Sequence, residues 1–405
     1  MEAGASSVAR TDSPADMRGR KRSPVLDSRM TKGYVLRVAG KAVALFIFFD
    51  LLQSAAGLAR RLESLSIYRH MVPPAARLDI MRDYPTPVMW RLEPLLDAHE
   101  IGRSKRPDEY RVAVLGDSGS FDLFSPARDA IPGQMTRLGA TIGGRTLRAY
   151  NLSYQTPNPL KDLVVEEHAL RRAPDAIVWF VTLYDLAADA PPPFRPDVHL
   201  VLRVNRDDLR ALAERFSIST WETRELFGKP ERWWRRSILF EGARYRDFAL
   251  LLARGALDAM APGDPSDTFR PRRPWIGASP LPEQPLFREL GPGKPPMPNA
   301  RWKALTAGKA LADERGVPLL LVNDPIFIAS GPRSDREYNS FYGRAIYDRY
   351  RAVLARFCSD NGIAVLDLWD FLGPREFGDT PQHYRPEANA RIARAVTDRL
   401  TEMTR

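Results

Sequence analysis

Five short apolar runs, each ending at a polar turn, constrain the fold of this chain more than any other feature. They read YRVAVLGDS from Tyr110, RTLRAYNLS from Arg145, DAIVWFVTLYD from Asp175, VPLLLVNDP from Val317 and GIAVLDLWD from Gly362. Helix-length amphipathic segments such as PLKDLVVEEHALRRAP separate several of the runs. Apolar strands that alternate with helices predict an α/β fold, with a five-stranded, mainly parallel sheet covered on both faces.

Polar residues follow every one of these runs. They are Asp117 and Ser118, Asn151 and Ser153, Thr182 to Asp185, Asn323 and Asp324, and Asp367. Parallel sheets bind their ligands at the carboxyl ends of the strands, where the loops leave the sheet. The sequence therefore predicts a functional site at this edge, with Ser118 on a tight turn that leads into a helix.

The composition excludes several classes of site and partner. A chain of 405 residues with 44% hydrophobic content can bury a full core without a metal or a disulfide. Cys358 is the only cysteine, so an internal disulfide and a cysteine-based metal cluster are excluded. Half of the formal charge of +10 comes from residues 1–41, with nine Lys or Arg against four acids. We predict no cofactor and no metal. We also predict no nucleic-acid partner, because no basic motif with interleaved aromatic residues is present.

The N-terminal part of the sequence predicts a basic disordered tail over 1–41 and a hydrophobic anchor helix over 42–61. The apolar stretch from Ala42 to Ala59 would rise roughly 27 Å as a helix, close to the ~30 Å of a bilayer core. Asp50 and Gln53 are costly in lipid, so a single membrane span, an interfacial helix and a helix packed on the domain all compete. We favour the span, which the positive-inside rule orients with the remaining chain outside the cytoplasm, in the periplasm.

The rest of the chain divides into a connector over 62–107 and a main domain over 108–405. The strand and helix alternation stops over 187–300, a segment with Pro-rich ends and the aromatic, basic sequence KPERWWRRSILF. This segment is either a helical insertion that covers one edge of the sheet or a cap whose Trp233 and Trp234 stack on a sugar. Two interpretations are also open for a group of aromatic residues, which either pack in the core or line a pocket. They are Tyr338, Phe341, Tyr342 and Tyr350.

Ser118 has the environment that a nucleophile needs. The unpaired backbone N–H groups at a helix N-terminus can stabilise an oxyanion that forms as the hydroxyl attacks a carbonyl. The candidate bases are the five histidines His70, His99, His168, His199 and His383. His383 is favoured because it precedes a helix with apolar residues at every fourth position, from Ala388 to Leu400. Asp379 could orient its imidazole and complete a Ser-His-Asp arrangement.

Three short blocks carry a resemblance to a known family. Gly116-Asp117-Ser118, Asn151-Leu152-Ser153 and the loop from Asp379 to His383 resemble the SGNH (GDSL-type) hydrolase superfamily. The long segment over 322–357, which begins VNDPIFIAS, also resembles a bacterial branch of that superfamily with an N-terminal hydrophobic helix. The likeness covers about 108–186 and 300–401. It implies a flavodoxin-like three-layer α/β/α fold and ester hydrolysis or acyl transfer, with Ser118 as nucleophile and His383 as base.

The sequence departs from the family pattern at three positions. The acid normally lies three residues before the histidine, where Thr380 stands, so Asp379 is displaced by one residue. Thr156 stands where the second block has its glycine, and retains a backbone donor. Tyr184 stands where the third block has its oxyanion asparagine, so either its phenol donates or that donor is lacking.

These features predict a membrane-anchored esterase or O-acyltransferase that acts on acyl esters, with cell-surface carbohydrate as the expected substrate. Ser118, His383 and Asp379 are the predicted catalytic residues. The predicted oxyanion and pocket residues are Asn151, Ser153, Thr156, Tyr184, Asn323 and Asp324. The alternative is a non-catalytic binding or scaffold subunit of envelope polysaccharide assembly, which Tyr184 and the displaced Asp379 favour.

Overall fold

The computed structural model describes residues 32–56, 92–122, 125–154, 156–186, 201–202, 205–218, 223–224, 227, 300–378 and 380–405. The chain divides into two compact units, Met1–Phe49 and Asp50–Arg405. Asp379, the tryptophans Trp233 and Trp234, and the first thirty residues of the predicted connector, 62–91, lie outside the described residues.

Helix α1, Lys32–Ala56, occupies the region of the predicted tail and anchor. It begins before the predicted anchor, so residues 32–41 of the predicted tail belong to this helix. The large apolar side chains from Leu36 to Leu52 are exposed. None of the helices in the described ranges combines the length and the apolarity that crossing a membrane requires.

The sheet of the larger unit has six strands in the order β2-β3-β1-β4-β5-β6. The strands are β1 Glu109–Leu115, β2 Thr141–Ile142, β3 Arg145–Asn151, β4 Ala176–Val181, β5 Leu319–Asn323 and β6 Ala364–Asp367. The five predicted strands are parallel, and the short β2 adds an antiparallel pair with β3 at the sheet edge. Gly143 and Gly144 join β2 to β3 with φ of 57° and 77°, the left-handed backbone that a two-residue hairpin turn requires.

Nine α-helices with complete bounds accompany the sheet among the described residues of the larger unit. They are α2 Leu92–Ala98, α3 Ser118–Phe121, α4 Ile131–Arg137, α5 Pro159–Leu170, α6 Leu183–Leu186, α7 Arg206–Arg215, α8 Ala300–Glu314, α9 Arg344–Asp360 and α10 Pro386–Met403. The predicted apolar positions of α10 are all buried.

Two hydrophobic cores lie on opposite faces of the sheet. On one face α4 and α10 pack against alternate strand residues such as Val178 and Phe180. On the other face α5, α8 and α9 pack against the intervening residues, such as Ile177 and Trp179. Successive side chains of β4 point to opposite faces of the sheet and therefore contribute to both cores. The fold is a flavodoxin-like α/β/α sandwich, as predicted.

The insertion over 187–300 is helical where the structure describes a complete element. Leu209 and Leu212 of α7 are buried in the same core as α5, so this helix packs on the helical layer. The two ends of the insertion meet at the carboxyl edge of the sheet. There, the buried Arg301 guanidinium donates hydrogen bonds to the carbonyl oxygens of Tyr184 at 3.2 Å and Asp185 at 3.3 Å.

Candidate active site

The turn that carries Ser118 follows β1 directly. Gly116 has a φ of 148°, and a Cβ atom there would lie 2.8 Å from the Cβ of Phe180, so the turn requires glycine. The Asp117 carboxylate caps helix α3 by accepting a hydrogen bond of 2.8 Å from the backbone N–H of Gly119. Ser118 is the first residue of α3 and is half-buried, as the sequence predicts.

Asn151 and Ser153, two predicted pocket residues, are buried beside this turn. The Asn151 amide donates to the carbonyl oxygen of Phe121 at 3.1 Å. The hydroxyl of Ser120 donates to the Ser153 hydroxyl at 2.8 Å. These bonds join the end of β3 to α3, so both side chains hold the serine turn in place. Thr156 follows on the same loop and is half-buried.

Tyr184 lies in the turn that follows β4. Its half-buried ring packs against Phe341 and Tyr342, at centroid distances of 5.7 Å and 5.5 Å, and burial raises the pKa of its phenol. The Asp185 carboxylate accepts a hydrogen bond of 2.7 Å from the backbone N–H of Thr182 and so closes the turn. The aromatic residues of the predicted pocket therefore pack on one another beside this edge.

Asn323 belongs to a buried network at the end of β5. Its amide donates to the Asp367 carboxylate at 2.8 Å, and its oxygen accepts from the Tyr350 hydroxyl at 2.9 Å. The side chain is fully buried. Asn323 thus connects β5 to β6 and α9.

His383 lies on a hairpin that ends just before α10. Phe377 and Tyr384 form an antiparallel bridge, and the backbone N–H of Gly378 donates to the carbonyl oxygen of His383 at 2.7 Å. The Tyr384 hydroxyl donates to the carbonyl oxygen of Pro325 at 3.1 Å, which fastens the hairpin to the end of β5. His383 immediately precedes the bridged Tyr384 and is half-buried.

The hairpin packs against the serine turn. A Cβ atom added at Gly119 would lie 3.0 Å from the carbonyl oxygen of Gln382 and 3.4 Å from the Tyr384 ring. Burial raises the pKa of Asp117, whereas the Gly119 N–H and the charges of Lys161 and His383 lower it. Residues more than 260 positions apart in the sequence, Gly119 and Gln382, are therefore in contact.

A second link joins the hairpin to the turn after β4. The side-chain amide of Gln382 donates to the Tyr342 hydroxyl, which in turn donates to the Thr182 hydroxyl at 3.3 Å. Tyr342 is fully buried, so this chain of hydrogen bonds runs beneath the surface of the edge. The hairpin that carries His383 is thus attached to the ends of β1, β4 and β5.

Buried charged groups lie behind the serine turn, and sequence reasoning missed most of them. Lys161, Asp162 and Glu166 of α5 are fully buried, although their segment reads as an ordinary amphipathic helix. Burial raises the pKa of Asp162 to about 6, with an opposing effect of the Lys161 charge. No feature of the sequence around these residues separates them from solvated helix residues.

Asp324 is also buried in this region. Burial raises the pKa of its carboxyl well above the usual value, and the charges of Asp117 and Asp185 raise it further. Both oxygens of Asp324 lack a hydrogen-bond partner, and its side chain is only 1% exposed. The environment therefore favours the protonated form of Asp324.

The described residues contain no set of three or more His, Cys, Asp or Glu side chains placed to hold a metal ion. The chemistry that this edge offers is that of a hydroxyl, an imidazole and backbone N–H groups. No protein-family model matches the chain, and no curated protein matches it.

Proposed function

We propose that this chain is a serine-dependent ester hydrolase or O-acyltransferase in which Ser118 is the nucleophile and His383 is the general base. The contact between Gly119 and Gln382 carries this proposal. Ser118 and His383 are the immediate sequence neighbours of these two residues, and both side chains are half-buried rather than enclosed in a core. A nucleophile and a base that act together require such proximity.

In the proposed reaction, Ser118 Oγ attacks the ester carbonyl while the His383 imidazole accepts the hydroxyl proton. The backbone N–H groups of Ser118 and Thr156 stabilise the oxyanion, which collapses to an acyl-enzyme as the protonated histidine donates to the leaving alcohol. Water or a second alcohol then attacks the acyl-enzyme and regenerates the serine. Water gives hydrolysis, and a sugar hydroxyl gives acyl transfer.

The test is labelling of the full-length chain with a fluorophosphonate, which reacts only with an activated serine. Wild type and Ser330→Ala should be labelled equally, because Ser330 is an exposed loop residue. Ser118→Ala and His383→Ala should abolish labelling and the hydrolysis of a short-chain aryl ester, since nucleophile and base act as a unit. Full activity of either variant would refute the assignment.

Asp379 is proposed as the acid that orients His383. Asp379→Asn should lower the acylation rate strongly, because an asparagine stabilises the wrong histidine tautomer and not the imidazolium. Asp367→Asn is the comparison, since its carboxylate is already engaged by Asn323 and by Arg351 at 2.8 Å. A silent Asp379→Asn together with an inactive Asp367→Asn or Asp370→Asn would move the role to that residue.

We propose acyl esters of cell-surface carbohydrate as substrates and membrane attachment through the N-terminal segment. The exposed apolar side chains of α1 support attachment to a hydrophobic partner. Full-length protein should sediment with membranes and resist a high-salt wash, because burial in hydrocarbon is not screened by ions. Release by salt alone would contradict insertion into the bilayer.

A non-catalytic binding or scaffold subunit of envelope polysaccharide assembly is the second candidate. It is favoured by Asn151, whose amide is bonded to the carbonyl oxygen of Phe121. A side chain so engaged is not directed at a reacting oxyanion. Absence of fluorophosphonate labelling in folded wild-type protein would support this candidate.

A further inference from the structure

Lys161 has an unusual environment for a lysine. It lies in the first turn of α5 and is fully buried. Its ammonium donates to the carbonyl oxygens of Gly116 at 2.6 Å and Tyr154 at 3.3 Å, and it forms an ion pair of 2.7 Å with Asp162. A lysine ammonium has three N–H donors, and the carbonyl oxygens of the two loops accept hydrogen bonds from it.

The two carbonyl groups belong to the two loops that supply the proposed oxyanion donors. Gly116 precedes Ser118 by two positions, and Tyr154 precedes Thr156 by two positions. The backbone N–H of Tyr154 also donates to the Gly116 carbonyl oxygen at 3.0 Å. Lys161 therefore binds both loops near the point at which they touch.

The helix that carries Lys161 is itself firmly placed. The Asn158 side chain caps α5 by accepting a 3.0 Å hydrogen bond from the backbone N–H of Leu160. Leu163 and Val164 are fully buried in the core between α5 and the sheet. The position of the Lys161 backbone is thus set by a packed helix and not by the loops that its ammonium contacts.

We propose that Lys161 is a positioning residue that sets the spacing of the Ser118 and Thr156 backbone N–H groups in the oxyanion hole. This inference rests on the proposed esterase or acyltransferase function. It follows from the engagement of Asn151 elsewhere, because an oxyanion held by backbone donors on two separate loops depends on the spacing of those loops. The buried positive charge also favours negative charge in its surroundings.

The test compares Lys161→Met with wild type in the full-length chain. Methionine has a similar length but no donor, so both loops lose their common contact. Glu166→Gln is the matched control, because Glu166 is a buried group of the same helix for which burial favours the protonated form. Stopped-flow release of the leaving group gives the acylation rate constant for p-nitrophenyl acetate and for phenyl acetate, and the melting temperature reports folding.

Lys161→Met should lower the acylation rate constant by about 10- to 1000-fold, with KM changed by less than about twofold. The loss should be larger for phenyl acetate, whose poorer leaving group needs more oxyanion stabilisation. Lys161→Arg, which keeps the charge and the donors, should recover part of the rate, and Glu166→Gln should equal wild type.

Three results would overturn the inference while wild type is acylated at Ser118. The first is an unchanged acylation rate constant in folded Lys161→Met. The second is an equal loss of the acylation rate constant for both esters, because such a loss indicates only a smaller amount of folded protein. The third is failure of both Lys161 variants to fold. A wild type that is not acylated would instead refute the proposed function itself, and the inference with it.

Discussion

Asn389 on α10 donates a hydrogen bond of 2.6 Å from its side-chain amide to the Asp122 carboxylate, just beyond the serine helix α3. The same amide donates to the carbonyl oxygen of Asp129 at 2.9 Å. Asn389 and Asp122 are both buried, and Asp122 has a left-handed backbone with a φ of 49°. The last helix thereby fixes the segment that follows Ser118.

Replacement of Asn389 by leucine should destabilise the protein, because it removes a hydrogen-bond donor from the buried Asp122 carboxylate. The free energy of unfolding, measured with urea, should fall by about 2–4 kcal/mol. Asn361→Ala is the control, since Asn361 lies exposed at the end of α9, and it should change stability by about 0.5 kcal/mol or less. Similar effects of the two substitutions would contradict this role.

Gly119→Ala tests the contact between the serine turn and the histidine hairpin. The added Cβ would lie 3.0 Å from the carbonyl oxygen of Gln382 and should displace the hairpin. A displacement of about 1 Å can cost about 100-fold in rate, so fluorophosphonate labelling should slow by at least about tenfold. Gly373→Ala, where the nearest atom is 3.6 Å from the added Cβ, should label like wild type. Equal labelling of both variants would separate the hairpin from the site.

Pre-steady-state kinetics should reveal a slow second half-reaction. If the oxyanion is held mainly by the Ser118 and Thr156 backbone N–H groups, an activated ester should give a rapid burst followed by slow turnover. Candidate glycan acceptors should then accelerate turnover in stopped-flow measurements. Steady hydrolysis without a burst and without an acceptor effect would contradict acyl transfer and would identify the protein as an esterase.

Tyr184→Phe separates the two roles of the tyrosine in the same assay. The ring contacts with Phe341 and Tyr342 survive this substitution, whereas the phenol is lost. A lower burst rate would identify the hydroxyl as an oxyanion donor, and an unchanged rate would assign the residue to packing. The melting temperature controls for loss of structure.

His168 is a pH-sensitive link between three helices. Its Nδ1 lies 2.7 Å from the Glu93 carboxylate of α2, and its Nε2 lies 3.2 Å from the Asp208 carboxylate of α7. A neutral imidazole has one N–H, so only the imidazolium can donate to both acids. Burial lowers the pKa of His168, but the hydrogen bonds to Asp208 and Glu93 raise it to above its usual 6.5, with Arg171 opposing.

The resulting stability should depend on pH in a defined window. The contribution of His168 is complete below pH 6.5 and is lost as the pH rises through its raised pKa. The hydrogen bond from His168, against burial and with the help of Arg172, lowers the pKa of Glu93 from 4.5 to about 2. The contribution of Glu93 to stability is therefore lost progressively as the pH falls from about 4.5 to about 2. Urea unfolding of wild type and His168→Gln should therefore differ more at about pH 5.5 than at about pH 9. A larger difference at the higher pH would contradict this sign.

The sequence predicted those parts of the fold that depend on long, uniform patterns. Five contiguous apolar runs were sufficient for the parallel strands, whereas β2 has only two residues and only one of them, Ile142, is buried. Polar residues at strand ends were harder to interpret. Asn151 and Asn323 stand where ligand-binding residues stand in such sheets. Their amides instead donate hydrogen bonds to α3 and to β6, and these partners depend on tertiary contacts.

Lys161 shows a second limit of sequence reasoning. A lysine next to an aspartate on an amphipathic helix is normally solvated, and burial of such a pair depends on carbonyl groups that other loops supply. The positions of Ser118 on a turn after a strand and of His383 in a loop before a helix were predictable, because both are local patterns. Their proximity is a property of the whole sheet.

The hydrogen bonds from Arg301 to the carbonyl oxygens of Tyr184 and Asp185 affect how the length of the insertion can vary. Because both ends of the insertion are held together, residues added outside α7 as a flexible loop cost only additional loop-closure entropy, which grows by about 0.6 kcal/mol for each doubling of the loop length. Natural or designed changes in the length of this segment are thereby uncoupled from the register of β4 and β5. The frame that carries Ser118 can remain constant while the insertion diversifies.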